Sequence, residues 1–171
     1  MKIVSDTLAA AEKGEVSLLG MLDMSAAFDT VDNDILLKRL HTAFGICGTA
    51  LFWISCCVCQ RTQTIAVNGK MPEMSLVTCG VPQGSVLGPI LFLLYMADVA
   101  RIFEMHEINL HSYADDSELY LYAQVDEIVL TLPRMALCID AIDRWMSSNC
   151  LKLKVGKTQF IVRARERSFQ K

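Results

Sequence analysis

The 171-residue sequence predicts an α+β domain in which an antiparallel sheet carries helices on one face. Three observations point there. Apolar runs of strand length, such as Ser17–Met24, are interspersed with stretches of helical periodicity. Turn signals are of the hairpin kind, above all Asn68-Gly69 between two short alternating stretches. No repeat or linker divides the chain, and 53% apolar residues over this length can bury one core.

Taken in order, an amphipathic segment at Val4–Lys13 precedes Gly14 and the buried strand Ser17–Met24. Asp34–Ala43 reads as a helix capped by Asp32 or Asn33 and ended at Gly45, and Thr49–Gln60 as a second helix. Thr62–Asn68 and Ser75–Cys79 form a hairpin through Asn68-Gly69. The loop Gly80–Pro89 leads into an apolar helix, Ile90–Arg101. Asn109–Tyr113 and Glu118–Tyr122 are strands around a tight acidic turn. Helical periodicity returns over Val125–Ser148, with Pro133 as an interruption or kink. Leu151–Val155 and Thr158–Val162 close the chain as a β pair around Gly156. The longest apolar run, Val86–Ala97, has 12 residues and holds Gly88 and Pro89. A membrane span needs about 20, so the expectation is a soluble domain with no membrane partner.

The net charge of −3 hides an asymmetry. Residues 144–171 hold eight basic residues and one acid, leaving the remainder strongly acidic. Such an end is either a phosphate-binding stripe or a solvated terminus. Seven cysteines, an odd number without a secretory signal, argue for a reducing, intracellular compartment. Cys56 and Cys59 form a CxxC with no second pair or His beside it, so they read as buried thiols in an apolar helix rather than zinc ligands.

Candidate chemistry lies at strand ends. Asp23 follows Leu18-Leu-Gly-Met-Leu22, and Asp115-Asp116 follow Tyr113-Ala114. A single carboxylate in such a place is commonly a cap or turn residue. If Asp23 lies on the strand next to Asp115-Asp116, the three crowd together. Like charges about 4 Å apart repel by about 4 kcal/mol at an effective dielectric near 20. A divalent cation removes that penalty, and all-oxygen ligands suit Mg²⁺ or Mn²⁺. The second feature is Gly80-Val-Pro-Gln-Gly-Ser-Val-Leu-Gly-Pro89, whose small residues let a planar ligand lie against backbone while Gln83 offers an amide. It is otherwise a connecting loop, and it lacks the Gly-Lys-Ser/Thr of a Walker loop.

Four motifs in order resemble the reverse transcriptase of non-LTR, LINE-type retrotransposons. They are Leu22-Asp-Met-Ser-Ala-Ala-Phe-Asp-Thr-Val-Asp32, the Gly80–Pro89 loop, Tyr113-Ala-Asp-Asp116, and Asn149-Cys-Leu-Lys-Leu-Lys154 with Lys157-Thr-Gln-Phe160. The resemblance runs from about Val4 to Val162. It implies a two-layer polymerase palm and an RNA-directed DNA polymerase, in which a primer 3′-hydroxyl attacks a deoxynucleoside triphosphate with two Mg²⁺ (or Mn²⁺). The implied metal ligands are Asp23, Asp115 and Asp116, with the carbonyl of Met24. Phe28 matches the steric gate that excludes a 2′-hydroxyl. Gln83 and Gly84 match the loop on the incoming nucleotide and template base. Lys157 matches the lysine that protonates departing pyrophosphate, with a solvated turn lysine as its alternative. Implied partners are an RNA template, a DNA primer and dNTP, and the implied place of action is the nucleus.

About 22 residues precede Asp23, so the family's fingers motifs are expected to be missing, as are a thumb and an endonuclease region after residue 171. The expectation is therefore a single partial domain, a palm-centred fragment of a retrotransposon polyprotein that does not extend a primer by itself. Three rivals stand beside it. One is a remnant that keeps the fold without activity. Another is a palm-like nucleotide cyclase or other two-metal phosphoryl-transfer enzyme. The last is a binding module built on the basic end.

Overall fold

A computed structural model of the chain describes residues 2–64, 74–113, 116–154 and 159–163. In chain order it runs α1 (Lys2–Glu12), β1 (Val16–Leu22), α2 (Asn33–Thr42) and α3 (Gly48–Val58). There follow β2 (Arg61–Gln63), β3 (Ser75–Val77), α4 (Leu87–Met96) and α5 (Val99–Met105). The rest is β4 (Asn109–Tyr113), β5 (Asp116–Ala123), α6 (Ile128–Ser148), entered by a 3-10 turn at Val125–Glu127, and β6 (Gln159–Arg163). These elements form two compact units. One comprises Met1–Ser25, Asp98–Met146 and Lys152–Lys171, and the other Ala26–Ala97 with Ser147–Leu151.

The first unit holds a four-stranded sheet in the order β4-β5-β1-β6. Every pairing in it is antiparallel, as the hairpin signals and alternating strands predict. The central pair fixes the faces. Val16, Leu18, Gly20 and Leu22 stand opposite Ala123, Leu121, Leu119 and Ser117, and all eight are buried. On the alternate row Ser17 and Tyr120 are buried too, but Leu19 and Met21 on β1 and Glu118 and Tyr122 on β5 are only half-buried. One face of the sheet is thus a core face and the other is partly open, the α+β arrangement the sequence predicts. Helix α6 supplies a core stripe of Thr131, Met135, Cys138, Ile142 and Met146 at helical spacing. It runs through Pro133 without interruption.

The chain's end departs from expectation. Among the described residues, Leu151–Val155 and Thr158–Val162 do not pair with each other. β6 pairs antiparallel with β1, Met21 opposite Gln159, and Leu153 makes an isolated antiparallel bridge to Met24. β6 thereby covers the second edge of β1, and the Leu153 bridge ties the chain just past the end of that strand, so backbone groups at this edge find partners. Gly156 lies outside the described residues.

The second unit is helical with a small antiparallel ladder. Helix α2 starts where Asp32 accepts from the Ile35 amide at 2.9 Å, so Asp32 is the cap. Strands β2 and β3 pair from Arg61 opposite Val77 to Gln63 opposite Ser75; Asn68-Gly69 falls outside the described residues. Helix α4 begins at Leu87, earlier than the expected Ile90, because Gly88 and Pro89 occupy a first turn whose amides need no intrahelical partner. It stops at Met96, and α5 begins again at Val99. Helix α3 overturns the expectation of buried thiols. Only Val58 of this apolar helix is buried; Phe52 is 69% and Trp53 56% exposed, Cys56 is exposed and Cys59 half-buried. Among the described residues no helix is long and apolar enough to cross a membrane.

Tyr95 of α4 is fully buried, and its hydroxyl donates to the Asn149 carbonyl at 2.7 Å. The Arg39 guanidinium lies 5.0 Å from the centre of the Tyr95 ring, donates to the Tyr95 carbonyl, and reaches Asn149 Oδ1 at 2.8 Å. Burial pushes the Tyr95 phenol from its ordinary 10.0 to about 12, and the buried Cys138 thiol from 9.0 to about 11. In both cases the folded chain keeps a proton that the unfolded chain releases first, so stability falls as pH rises from about 9 to 12. The urea midpoint, measured across that range, is expected to drop with pH, and Tyr95→Phe to flatten the part of the slope between 10 and 12.

Candidate active site

The first candidate cluster sits at one end of the sheet. Asp23 follows β1 directly and continues the half-open row of Leu19 and Met21; its side chain is 31% exposed. Leu22 stands opposite Ser117. Asp23, the residue after Leu22, and Asp116, the residue before Ser117, therefore stand at the same end of the central strand pair. Asp115 and Lys157 lie outside the described residues, as does the side chain of Asp116.

Residues 23–25 are held by the segment around Leu153. The Lys154 amide donates to the Asp23 carbonyl at 2.9 Å, and the Ser25 amide to the Lys152 carbonyl at 2.8 Å. The carbonyl of Met24 takes no part in either bond, although the Met24 side chain is buried. An aspartate carboxylate followed by a main-chain carbonyl that accepts neither of these bonds offers hard oxygen donors, the kind Mg²⁺ and Mn²⁺ take. The donor set fits the implied metal on that ground. Lys154 was not foreseen as a site residue: its Nζ lies 3.3 Å from both carboxylate oxygens of Asp23.

The second cluster lies in the helical unit, where the Gly80–Gln83 loop is stapled to the segment that carries Phe28. The Val81 amide donates to the Phe28 carbonyl at 2.8 Å and the Gly80 amide to the Val31 carbonyl at 2.7 Å. The Gln83 side-chain amide donates to Asp29 Oδ1 at 2.8 Å. Phe28 itself is half-buried, with its ring 4.9 Å from that of the fully buried Phe92 and tilted by 41°. Ala26, at φ 47°, turns the chain into this segment, and its carbonyl accepts from the Asp29 and Thr30 amides.

Two glycines in the loop have different reasons. Gly84, at φ +74°, has nothing within 4 Å of where a Cβ would stand, so it presents bare backbone to open space. Gly80, at φ +86°, is pressed against the Phe28 and Asp29 backbone. Ser85 then ties the loop to α4, accepting from the Gly88 amide at 2.9 Å and donating to the Pro82 carbonyl at 2.7 Å.

Arg61, like Asp29, is a further residue the sequence did not single out. Its Nε donates to the Val58 carbonyl at 3.1 Å, and its guanidinium also caps the Cys79 carbonyl at 2.9 Å and that of Gly80. With Asp29, Gln83 and the β2–β3 ladder it lines a cleft of about 810 Å³. The one available signal was position, a basic residue ending the apolar α3 stretch.

The family described as reverse transcriptase (RNA-dependent DNA polymerase) has a model that matches residues 1–170. Among curated proteins, the chain is 25% identical over 161 residues to the RNA-directed DNA polymerase from mobile element jockey of Drosophila melanogaster, covering 91% of this chain and 17% of that protein. It is 27% identical over 125 residues to the probable RNA-directed DNA polymerase from transposon BS of the same species, over 69% of this chain and 13% of the relative. The chain thus spans less than a fifth of the length of these relatives. Among solved structures, an apo telomerase from Candida tropicalis, truncated from its C-terminal domain, superposes with a TM-score of 0.70 at 17% identity, over 98% of this chain and 34% of that one. A telomerase from Candida albicans in complex with a fragment of telomeric RNA gives 0.64 at 14% identity, over 94% and 31%. At these identities the structures speak for the fold, a polymerase palm.

Proposed function

Because the chain belongs to the reverse transcriptase (RNA-dependent DNA polymerase) family, we propose that it forms the palm of an RNA-directed DNA polymerase, which joins dNTP to a primer 3′-hydroxyl and releases pyrophosphate. The observation that carries the proposal is the Leu22–Ser117 register, which sets Asp23 and Asp116 at one end of paired central strands. Asp23, Asp115, Asp116 and the Met24 carbonyl are the groups that would hold Mg²⁺ or Mn²⁺. When bound, a pair of such ions activates the attacking oxygen and offsets charge on the leaving phosphate. The chain's own side chains do the rest. Phe28 lies under the sugar and refuses a 2′-hydroxyl, Gln83 and Gly84 flank the nucleotide and the template base, and Lys157 delivers a proton to pyrophosphate. RNA template and DNA primer are held mainly through phosphates. Fingers, thumb and endonuclease regions of a retrotransposon polyprotein, acting in the nucleus, would complete the machine.

Arg39, Arg61 and Arg134 all donate to protein groups, Arg134 to Glu107 at 3.1 Å. None of the three is placed as a triphosphate grip, so primer extension by this chain alone is expected to stay below detection. Binding is therefore the readout that tests the proposal. A fluorescent dNTP titrated into the purified chain is expected to bind in the presence of Mn²⁺, and to be lost on chelation or in Asp23→Asn. Nucleotide binding indifferent to both, or no binding with Mn²⁺ present, counts against the palm reading.

A further inference from the structure

We infer that Lys154 is a built-in counter-cation of Asp23, which has to leave the carboxylate before a divalent cation is taken up and so sets the affinity of that site. The inference rests on the proposed metal-binding role of Asp23 and adds to it a residue that competes with the metal. Three observations support it.

The first is the position of the ammonium. Lys154 Nζ is 3.3 Å from Asp23 Oδ1 and 3.3 Å from Oδ2, so it sits astride the carboxylate and faces both oxygens at once. A cation bound by both oxygens approaches along that same direction. An inner-sphere Mg²⁺ contact of about 2.0–2.1 Å leaves no room for an ammonium on the same side.

The second is the looseness of the pair. A well-made contact between ammonium and carboxylate closes to about 2.7–2.9 Å, and neither of these does. The two side chains are 37% and 31% exposed, so water can take over the ammonium when it swings away. The pair is a place-holder that can be displaced.

The third is the anchoring of the backbone. The Lys154 amide is bonded to the Asp23 carbonyl at 2.9 Å, and the neighbouring Met24–Leu153 bridge fixes the two segments together. Lys154 therefore cannot drift out of range. Its side chain alone moves, and substituting it changes the charge beside Asp23 without removing a ladder bond.

The test is a calorimetric titration of the full 171-residue chain with Mn²⁺, at fixed pH and ionic strength, for the wild type, Lys154→Met, Lys154→Gln, Lys154→Arg and Asp23→Asn. Circular dichroism checks folding in each, and the glutamine variant stands in if methionine disturbs the surface. Lys154→Met and Lys154→Gln are expected to bind Mn²⁺ about two- to fivefold more tightly, the range of a partly exposed ion pair. Lys154→Arg keeps the charge and is expected to stay near the wild type, which a packing role would not produce. If Asp23→Asn abolishes binding while the neutral Lys154 variants match the wild type, this inference is wrong and the metal-binding role of Asp23 stands. If Asp23→Asn leaves Mn²⁺ binding unchanged, both fall together.

Discussion

Gly80→Ala is expected to destabilise the helical unit by about 2–5 kcal/mol, from two separable causes. The residue sits at φ +86°, where a side chain costs about 1–2 kcal/mol in any surroundings. A Cβ there would also stand 2.9 Å from the Phe28 carbonyl oxygen and 3.0 Å from both Cα and the carbonyl oxygen of Asp29. These are backbone atoms, so no rotamer change relieves the contact. The Gly80–Val31 and Val81–Phe28 hydrogen bonds must stretch instead, and overpacking of this kind costs about 1–3 kcal/mol. Gly84→Ala is the control, because its φ of +74° carries the same conformational cost while its Cβ would meet nothing within 4 Å. Urea denaturation is expected to show Gly84→Ala losing only the first contribution and Gly80→Ala both. Equal losses would mean that the close approach of the two loops is not what Gly80 is for.

That staple shows where the sequence could be read and where it could not. The strands β1, β4 and β5 and the capped helix α2 were legible because their signals are local: an apolar run, an alternation, an aspartate three residues before the Ile35 amide it accepts from. The place of β1 between β5 and β6 was not, since it is decided by pairings such as Leu22 opposite Ser117 and Met21 opposite Gln159, far apart in the chain. Leu151–Val155 and Thr158–Val162 look like partners of each other in sequence, but β6 ladders with β1 instead, and Leu153 makes only a single bridge, to Met24 just past the end of β1. The exposure of Cys56, Phe52 and Trp53 on α3 was equally hidden, because apolar composition says a helix wants cover and says nothing about where it finds it.

The candidate site divides in the same way. Phe28 and Gly84 were marked only by the family resemblance, whereas Asp23 stood out as a carboxylate ending an apolar strand and Gln83 as an amide in a glycine-rich loop. Arg61, Asp29 and Lys154 did not, since each is one charged side chain among many until its partner is seen. Arg61 caps carbonyls 18 and 19 residues away, and Lys154 meets a carboxylate 131 residues earlier. Such groups act through geometry that no short motif records. The aromatic partner of Phe28 was hidden for the same reason: Phe92 lies in a run of apolar residues any of which could have faced it.

That partner makes the second prediction specific. Phe28→Ala is expected to abolish discrimination against ribonucleotides, measured as the ratio of dNTP to rNTP affinity with Mn²⁺ present. The Phe28 ring is half-buried and braced at 4.9 Å by Phe92, which has no exposed surface and cannot retreat. A braced ring yields little to an extra hydroxyl. Forcing an atom into packed space costs about 1–3 kcal/mol, which corresponds to a preference of roughly 5- to 150-fold for the deoxy sugar. Alanine removes the ring and should bring the two affinities within about threefold of each other, the residue of ordinary hydration differences. Phe92→Leu keeps the gate but loosens its brace, so an intermediate ratio is expected, with dNTP affinity itself little changed. A loss of the aromatic contact alone, worth about 0.5–1.5 kcal/mol, lowers stability in both variants and would leave the ratio untouched. Unaltered discrimination in Phe28→Ala would therefore assign sugar selection to another residue.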